Sequence, residues 1–367
     1  METCGFCSHR QFCLWRSYAG PVRALILLTV FAAGCGFERE MQTFDGGGDG
    51  PGGGGDGGAG GDAGMTACPL PVLLMAVEQL GGAGPGRIMR FSLDASGSIT
   101  PCSALTARGA LPQQPFAVAH VPPDRVAAAT RDGLYVIDFD DDIVFSRSGT
   151  MFPVSVFPIK QGSVQHVAVG LWSQGTSNPE IDRIEVYRDG SSAPIVWNAA
   201  TVGFPQRFPM AAAAPSPIDP GRFFALDEAI ASTPNAAADV DPFAQSKTSY
   251  VSYPAGRNLV SISSYLMGGQ RRTVWVDESG NAIYYTRELS GNPALSGPIK
   301  CALTCNLVHA VPDPTDPVRF LALCEKTASI ERDIVRFSST GGNCTVVYQG
   351  VDAGAQTRLA QLAVALP

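Results

Sequence analysis

The hydrophobic and polar positions of this chain fall into three regimes. The first is one unbroken apolar run of about ten residues, Ala24 to Ala33, preceded by Arg10, Arg16 and Arg23. The second, Asp45 to Gly64, is almost wholly Gly and Asp, interrupted only by Pro51, Ala59 and Ala63. The third, Cys68 to Pro367, alternates short apolar stretches with clusters of Pro, Asp and Gly. Several of those stretches repeat with period two, the spacing of a strand with one buried face. None carries a convincing amphipathic helix, so the pattern predicts an all-β domain.

Three segments share one design. Phe116-Ala-Val-Ala-His-Val-Pro-Pro-Asp124 runs into Arg125-Val-Ala-Ala-Ala-Thr130. Met210 to Pro220 runs into Arg222-Phe-Phe-Ala-Leu-Asp227, and Leu307 to Pro317 into Val318-Arg-Phe-Leu-Ala-Leu-Cys324. Each reads as a small-residue strand, a Pro/Asp turn and a second apolar strand, which makes a hairpin. Their starts lie roughly 95 residues apart, about twice the length of a propeller blade. A second hairpin type fits beside them: Arg90-Phe91-Ser92 to Ile99, Tyr135–Phe139 to Ile143–Phe145, Ile184–Tyr187 to Ile195–Trp197, and Arg336-Phe337-Ser338 to Val346-Val347. One hairpin of each type makes a four-stranded meander, the unit of a β-propeller.

The expected fold is therefore a β-propeller of about six four-stranded blades, with five and seven as the neighbouring counts. Val72 to Leu105 supplies only three strands, whereas the chain's end, Leu359 to Pro367, reads like an inner strand. We expect that end to pair with Val72–Val77 and close the ring, removing the open edges a linear repeat would present. Between Tyr250 and Cys301 about five strands are visible where six are expected, the weak point of the count. Small residues are expected on the inner strands, where backbones crowd the central channel.

Composition divides the chain into 1–34, 35–67 and 68–367. The last part, about 300 residues, is long enough for one large all-β domain. The Gly/Asp stretch cannot bury enough apolar surface to offset its ordering entropy, so a disordered tether is expected. About 30 residues of such coil span roughly 30 Å. Calcium-binding nonapeptide repeats would need an apolar residue in every turn, and this stretch has none. Removing residues 1–34 takes three arginines and one glutamate with it, leaving 23 basic against 32 acidic residues, a net charge of −9. Nucleic acid, which demands a basic face, is not an expected partner.

The apolar run is too short to span a bilayer, which takes about twenty residues. It matches the central region of a secretory signal. The sequence Leu25-Ile-Leu-Leu-Thr-Val-Phe-Ala-Ala-Gly-Cys35 resembles the lipobox of bacterial lipoproteins, with Ala32 where that family usually carries Leu. The resemblance implies that residues 1–34 are a signal peptide and that Cys35 becomes the first mature residue. It further implies a diacylglyceryl group on that thiol, with acyl chains such as palmitate as the membrane contact. Gly36, in place of an Asp, implies export to the outer membrane or cell surface, with the periplasmic face as the other orientation. Starting at Val22 would leave a compact signal, and we expect translation to begin there, outside Met1 to Pro21. Cys4-x-x-Cys7 lacks the second pair that a zinc site needs.

Six cysteines remain in the domain: Cys68, Cys102, Cys301, Cys305, Cys324 and Cys344. An even count in an exported chain favours disulfides, and six thiols allow 15 connectivities. One can be argued from position: Cys305 and Cys324 are equidistant from the Pro312–Pro317 turn and should face each other across a hairpin, at about 4.5–5.5 Å. Cys301 and Cys305 are too close in sequence to bridge along an extended stretch.

Catalytic signatures are absent from the sequence. There is no Gly-x-Ser-x-Gly elbow, no His-Glu-x-x-His, no phosphate loop and no dinucleotide fingerprint. No cofactor and no metal site are expected. His120 and His309 fall in matching strands but are offset by one residue, which should turn them opposite ways; His166 stands apart. Asp138, Asp140 and Asp142 alternate but lack the glycine and final acid of a calcium loop, so a solvated turn is expected. Trp172, Trp197 and Trp275 are expected to pack between blades rather than stack on carbohydrate. These features together suggest a lipid-anchored envelope protein whose propeller binds a protein or envelope polymer without catalysis. The rival expectation is a six-bladed propeller hydrolase or lactonase with a metal at the channel mouth. It would gather three or more of Asp124, Asp138, Asp227, Asp277, Glu325 and Asp333 around one point. A structural spacer would have a channel lined only by small apolar residues.

Overall fold

The computed structural model describes residues 68–365 apart from 80–84, 113, 149–151, 173–179, 182, 189–193, 199–207, 210–212, 217–218, 228–235, 253–258, 268–269, 278–279, 289–293, 328–330, 341–343 and 351–356. Among the described residues every regular element is a strand. The first three, β1 (Val72–Gln79), β2 (Arg87–Leu93) and β3 (Ile99–Leu105), form a meander. Next come β4 (Pro115–Val121), β5 (Arg125–Thr130), β6 (Gly133–Asp138) and β7 (Ile143–Ser148) as a four-stranded sheet. The third sheet holds β8 (Phe152–Gln161), β9 (Val164–Trp172), β11 (Arg183–Arg188) and β12 (Ile195–Asn198). Two short strands, β10 (Glu180–Ile181) and β13 (Phe208–Pro209), pair separately.

The fourth sheet is β14 (Ala213–Pro215), β15 (Phe223–Asp227), β16 (Ala236–Asp241) and β17 (Ser246–Ser252). The fifth is β18 (Leu259–Met267), β19 (Gln270–Asp277), β20 (Ala282–Glu288) and β21 (Ala294–Lys300). The sixth is β22 (Cys305–Pro312), β23 (Arg319–Lys326), β24 (Arg332–Ser338) and β25 (Cys344–Tyr348). The last strand, β26 (Thr357–Ala365), returns to pair with β1, antiparallel, with Val72 opposite Ala365 and Gln79 opposite Thr357. The first sheet thus reads β26-β1-β2-β3. Inner strands neighbour one another in the cycle β26, β4, β8, β14, β18, β22 and back to β26.

The molecule is a six-bladed β-propeller. The strand shortage between Tyr250 and Cys301 was a miscount of need: β17 finishes blade 4, and the four strands after it complete blade 5. The ring closes as expected, with the chain's end as the inner strand of blade 1.

Burial follows position within a blade. A middle strand has a neighbouring blade on each side, so both its faces are covered and its sequence becomes a continuous apolar run. Val126–Ala129 in β5 and Phe320–Cys324 in β23 are such runs, buried throughout. Outer strands have less cover, and Ile143 and Val144 in β7 and Val346 in β25 are exposed. Apolar clusters fill the interfaces: Leu74 and Val126 between blades 1 and 2, Val136 and Val169 between 2 and 3, and Phe224 and Trp275 between 4 and 5. Val276 and Ala322 belong to the cluster between blades 5 and 6, and Leu321 and Leu73 to that between 6 and 1. Blades 3 and 4 meet through the Phe157 and Phe223 rings, 5.2 Å apart. Small inner-strand residues hold for blade 4, with Ala213, Ala214 and Pro215, but not for blade 3, where the Phe157 side chain turns into this interface.

Three disulfides join the six cysteines. Cys68–Cys102 ties the segment before β1 to the outer strand of blade 1. Cys301–Cys344 links the end of blade 5 to the outer strand of blade 6. Cys305–Cys324 lies inside blade 6, with its Cα atoms 5.4 Å apart. The bridge expected from position is present, but its cysteines sit diagonally rather than opposite. Cys305 is in register with Lys326 and Cys324 with Leu307, because the hairpin centres on Asp316, with Pro312 opposite Phe320, rather than midway between the two cysteines.

Candidate functional site

A propeller's obvious place for a ligand is its axis. Here the axial cavity is about 110 Å³, walled by the six inner strands through residues that include Val118, His120, Phe157, Ser264, Tyr265 and Gln361. Its lining is therefore neither purely small nor purely apolar, unlike the lining expected of a bare spacer. The polar groups have a shared occupation: each reaches across to another strand or turn.

Gln361 sits on β26 between blades 6 and 2. Its Oε1 accepts the Val118 N–H at 3.0 Å, and its Nε2 lies 3.2 Å from His309 Nε2. An amide nitrogen can only donate, so His309 accepts through Nε2. Tyr265 of blade 5 donates its hydroxyl to the Asp313 carbonyl at 2.6 Å, and burial pushes that phenol well above its ordinary pKa. Ser264 donates to the Pro215 carbonyl, joining blades 5 and 4. A Tyr held neutral by burial and a Ser directed at a backbone carbonyl do not form a nucleophile and base.

The three histidines of the propeller are all structural. His120 is buried; its Nε2 lies 3.2 Å from the Pro123 carbonyl, and its ring stacks on Phe139 at 6.1 Å. Arg90 of blade 1 covers that same Phe139 ring, 5.0 Å from its centroid. Burial holds His120 below its ordinary pKa, partly opposed by the Pro123 hydrogen bond and by Asp124. His166 is buried, with Nδ1 3.1 Å from the Val164 carbonyl and its ring edge-on to Phe243 of blade 4. His120 and His309 do face opposite ways from their own strands. Because blades 2 and 6 flank blade 1, those opposite faces both look onto blade 1.

The seam between blades 6 and 1 has a charged tie. Arg336, nearly buried in β24, meets the fully buried Asp313 carboxylate, with Nε 2.6 Å from Oδ2. Its Nη1 donates to the Ser96 carbonyl in the β2–β3 turn at 2.9 Å, and its Nη2 to Thr315 Oγ1 at 3.0 Å. Gly97 in that turn has φ +86°, and a Cβ there would land on the Arg336 guanidinium. Neither Arg336 nor Gln361 stood out in the sequence. With Asp313, all three lay in segments marked as strands or turns, but nothing in those segments singled out their side chains.

Of the six acids proposed for a channel-mouth metal, the five whose side chains are described do not meet. A meander turns the chain end over end, so strand ends alternate between the two faces of the ring. Asp124 and Asp138 lie on the face that carries the β4–β5 and β6–β7 turns; Asp277, Glu325 and Asp333 lie at the opposite ends of their strands. Asp227 ends β15, and its side chain lies outside the described residues. Glu325 is paired with Arg332 Nη2 at 2.6 Å, and Asp333 accepts the Gly350 N–H at 3.0 Å. Among the described residues no three His, Cys, Asp or Glu side chains gather around one point. The Asp138–Asp142 stretch is a turn held by its own backbone and by the loop after β3. Asp138 Oδ1 accepts the Asp140 and Asp142 N–H groups, while the Asp141 carboxylate accepts three backbone N–H groups from Thr106 to Arg108. Trp275 is fully buried, as expected of a packing residue, and the side chains of Trp172 and Trp197 lie outside the described residues, as does Cys35.

No family model matches the chain, and no curated protein is similar to it. Solved structures are. A protein of unknown function from Bacteroides caccae is 12% identical, covering 80% of this chain and 98% of that one at a TM-score of 0.43. A candidate 6-phosphogluconolactonase from Bacteroides fragilis NCTC 9343 is also 12% identical, covering 77% and 82% at a TM-score of 0.47. A structural genomics protein of unknown function from Bacteroides thetaiotaomicron VPI-5482 shares 12% identity over 76% and 80% at 0.45. These likenesses carry no argument about activity. The propeller assignment stands on the strand pairing itself.

Proposed function

We propose that this chain is an envelope lipoprotein, anchored through acylated Cys35 and a Gly/Asp-rich tether. Its propeller binds a protein or an envelope polymer without catalysing a reaction on it. The observation that carries the binding reading is the occupation of the channel's polar side chains. His309, Gln361, Ser264 and Tyr265 all bridge neighbouring blades. A ring braced this way offers a rigid surface for docking, and the loops rather than the axis become the contact region. The disulfides support an oxidising compartment, where such bridges form and persist.

Geometry also favours one face. Cys68 leads into β1 beside the end of β26, since Val72 pairs with Ala365. The described chain therefore enters on the face that carries the β4–β5 and β22–β23 turns, which favours the opposite face for a partner. Fold alone does not assign a ligand. The anchor is tested by the intact mass of membrane-extracted protein. The expected species begins at Cys35 with a diacylglyceryl group and further acyl chains, and a Cys35→Ser variant should be unmodified and released from the membrane. A wild-type mass without lipid would overturn the anchor. A pull-down from envelope extract that recovers nothing specific would overturn the binding role.

A further inference from the structure

A second cavity, about 200 Å³, opens where blade 6 meets blade 1, on the face away from Cys68. Its wall brings together Arg87, Met89, Arg332, Tyr348, Arg358 and Leu359. Charge is concentrated here, and most of it is matched. Arg358 meets Glu78. Arg332 holds Glu325 through Nε at 2.8 Å and donates Nη1 to the Leu359 carbonyl at 2.9 Å. Glu331, also in the wall, is held by Lys326 at 2.7 Å, and Lys326 reaches Asp333 at 3.4 Å.

Arg87 is the exception. Among the described residues no acid pairs with it, and its Nε is buried without a hydrogen-bond partner. A guanidinium carries five donors and accepts nothing, and a buried donor left unsatisfied is costly. Tyr348 stands beside it, its ring held edge-on against Phe91 at 4.9 Å. Burial raises the Tyr348 pKa while the Arg87 charge opposes that rise, so the phenol keeps its proton and remains a donor. Val77, Met89 and Leu359 give the wall an apolar part beside Gly350 and the Glu331 carboxylate.

We propose that this seam cavity is a binding site for a small monocarboxylate with an apolar body. Arg87 and Tyr348 hold the carboxylate, and Val77, Met89 and Leu359 hold the body. Arg87, the one cation here without an acid among the described residues, is the group that meets the carboxylate, and Glu331 in the same wall disfavours a phosphate dianion. A cavity of roughly 150 Å³ accommodates benzene, so this one suits a body of that size or slightly larger. The site belongs to the propeller itself and does not depend on lipidation at Cys35.

The test is isothermal titration of the full chain, disulfides intact, with benzoate, hexanoate and N-acetyl-leucine. Benzamide serves as the neutral counterpart and inorganic phosphate as the competing anion. Saturable binding of a carboxylate, at least tenfold tighter than benzamide, is expected. Arg87→Met should remove it at least tenfold, and Tyr348→Phe should weaken it severalfold while leaving the thermal midpoint near wild type. Because the ligand touches both blades at the seam, it should also raise the midpoint of the wild type. Preference for N-acetyl-leucine would assign the natural carboxylate to a peptide C-terminus, and preference for hexanoate to a free acid. Equal binding of benzamide, tighter binding of phosphate, no binding at all, or full binding by folded Arg87→Met would each overturn the proposal. If Arg87→Met does not fold, an unchanged affinity in Tyr348→Phe would do so.

Discussion

Gln361 makes contacts with two other blades from one side chain, and its loss should be felt at both. Gln361→Leu leaves the buried Val118 N–H without its acceptor, at a cost of about 1–3 kcal/mol. Urea denaturation would read this as a lower midpoint at an unchanged slope. Arg336→Met should cost more, about 3–5 kcal/mol, because it strands the buried Asp313 carboxylate. His120 gives the domain a pH dependence of definite sign. Burial depresses its folded pKa below the unfolded value, so the unfolded chain takes up the proton more readily. The stabilising contribution is complete above the unfolded pKa, about 6.5, and is lost as pH falls through the lower folded value. Thermal midpoints measured downward from neutral pH should fall, and His120→Gln should flatten the slope across that window. None of these three roles was legible in the sequence beforehand. Gln361 lies 243 residues from Val118 and 52 from His309, and spacing along a chain says nothing about such contacts.

At the scale of strands, the hairpins were legible because Pro and Asp punctuate apolar runs and a blade is built of neighbours in sequence. Gln270-Arg-Arg-Thr-Val-Trp-Val-Asp277 shows where that reading strains, since a middle strand opens on two arginines. The Cys301–Cys344 bridge was illegible for the opposite reason: it joins the edges of two different blades. Cys305–Cys324 was legible because its cysteines flank one turn, although the hairpin centres on Asp316 and so makes the pair diagonal. Loop-closure entropy for bridges separated by 34, 43 and 19 residues corresponds to about 3–4 kcal/mol each. Replacing Cys68 and Cys102 together by Ser should lower the unfolding free energy by about that amount. Chemical denaturation of the double variant, compared with reduced wild type, would measure it.

For the whole molecule, stability depends on a strand that arrives last. Deleting Thr357–Pro367 would strip β1 of its inner partner, leaving only β2, and uncover Leu73, Met75 and Val77, all buried in the closed ring. The expected outcome is loss of the single cooperative transition, read by calorimetry. Adding the deleted segment back as a peptide should restore part of the transition, since every contact it makes is with already formed neighbours. The Val72–Ala365 pairing has another implication. With first and last strands side by side, the location of the break in the polypeptide is a matter of genetic bookkeeping. A circular permutant that fuses these ends and opens between two other blades should assemble the same wheel with its latch moved elsewhere.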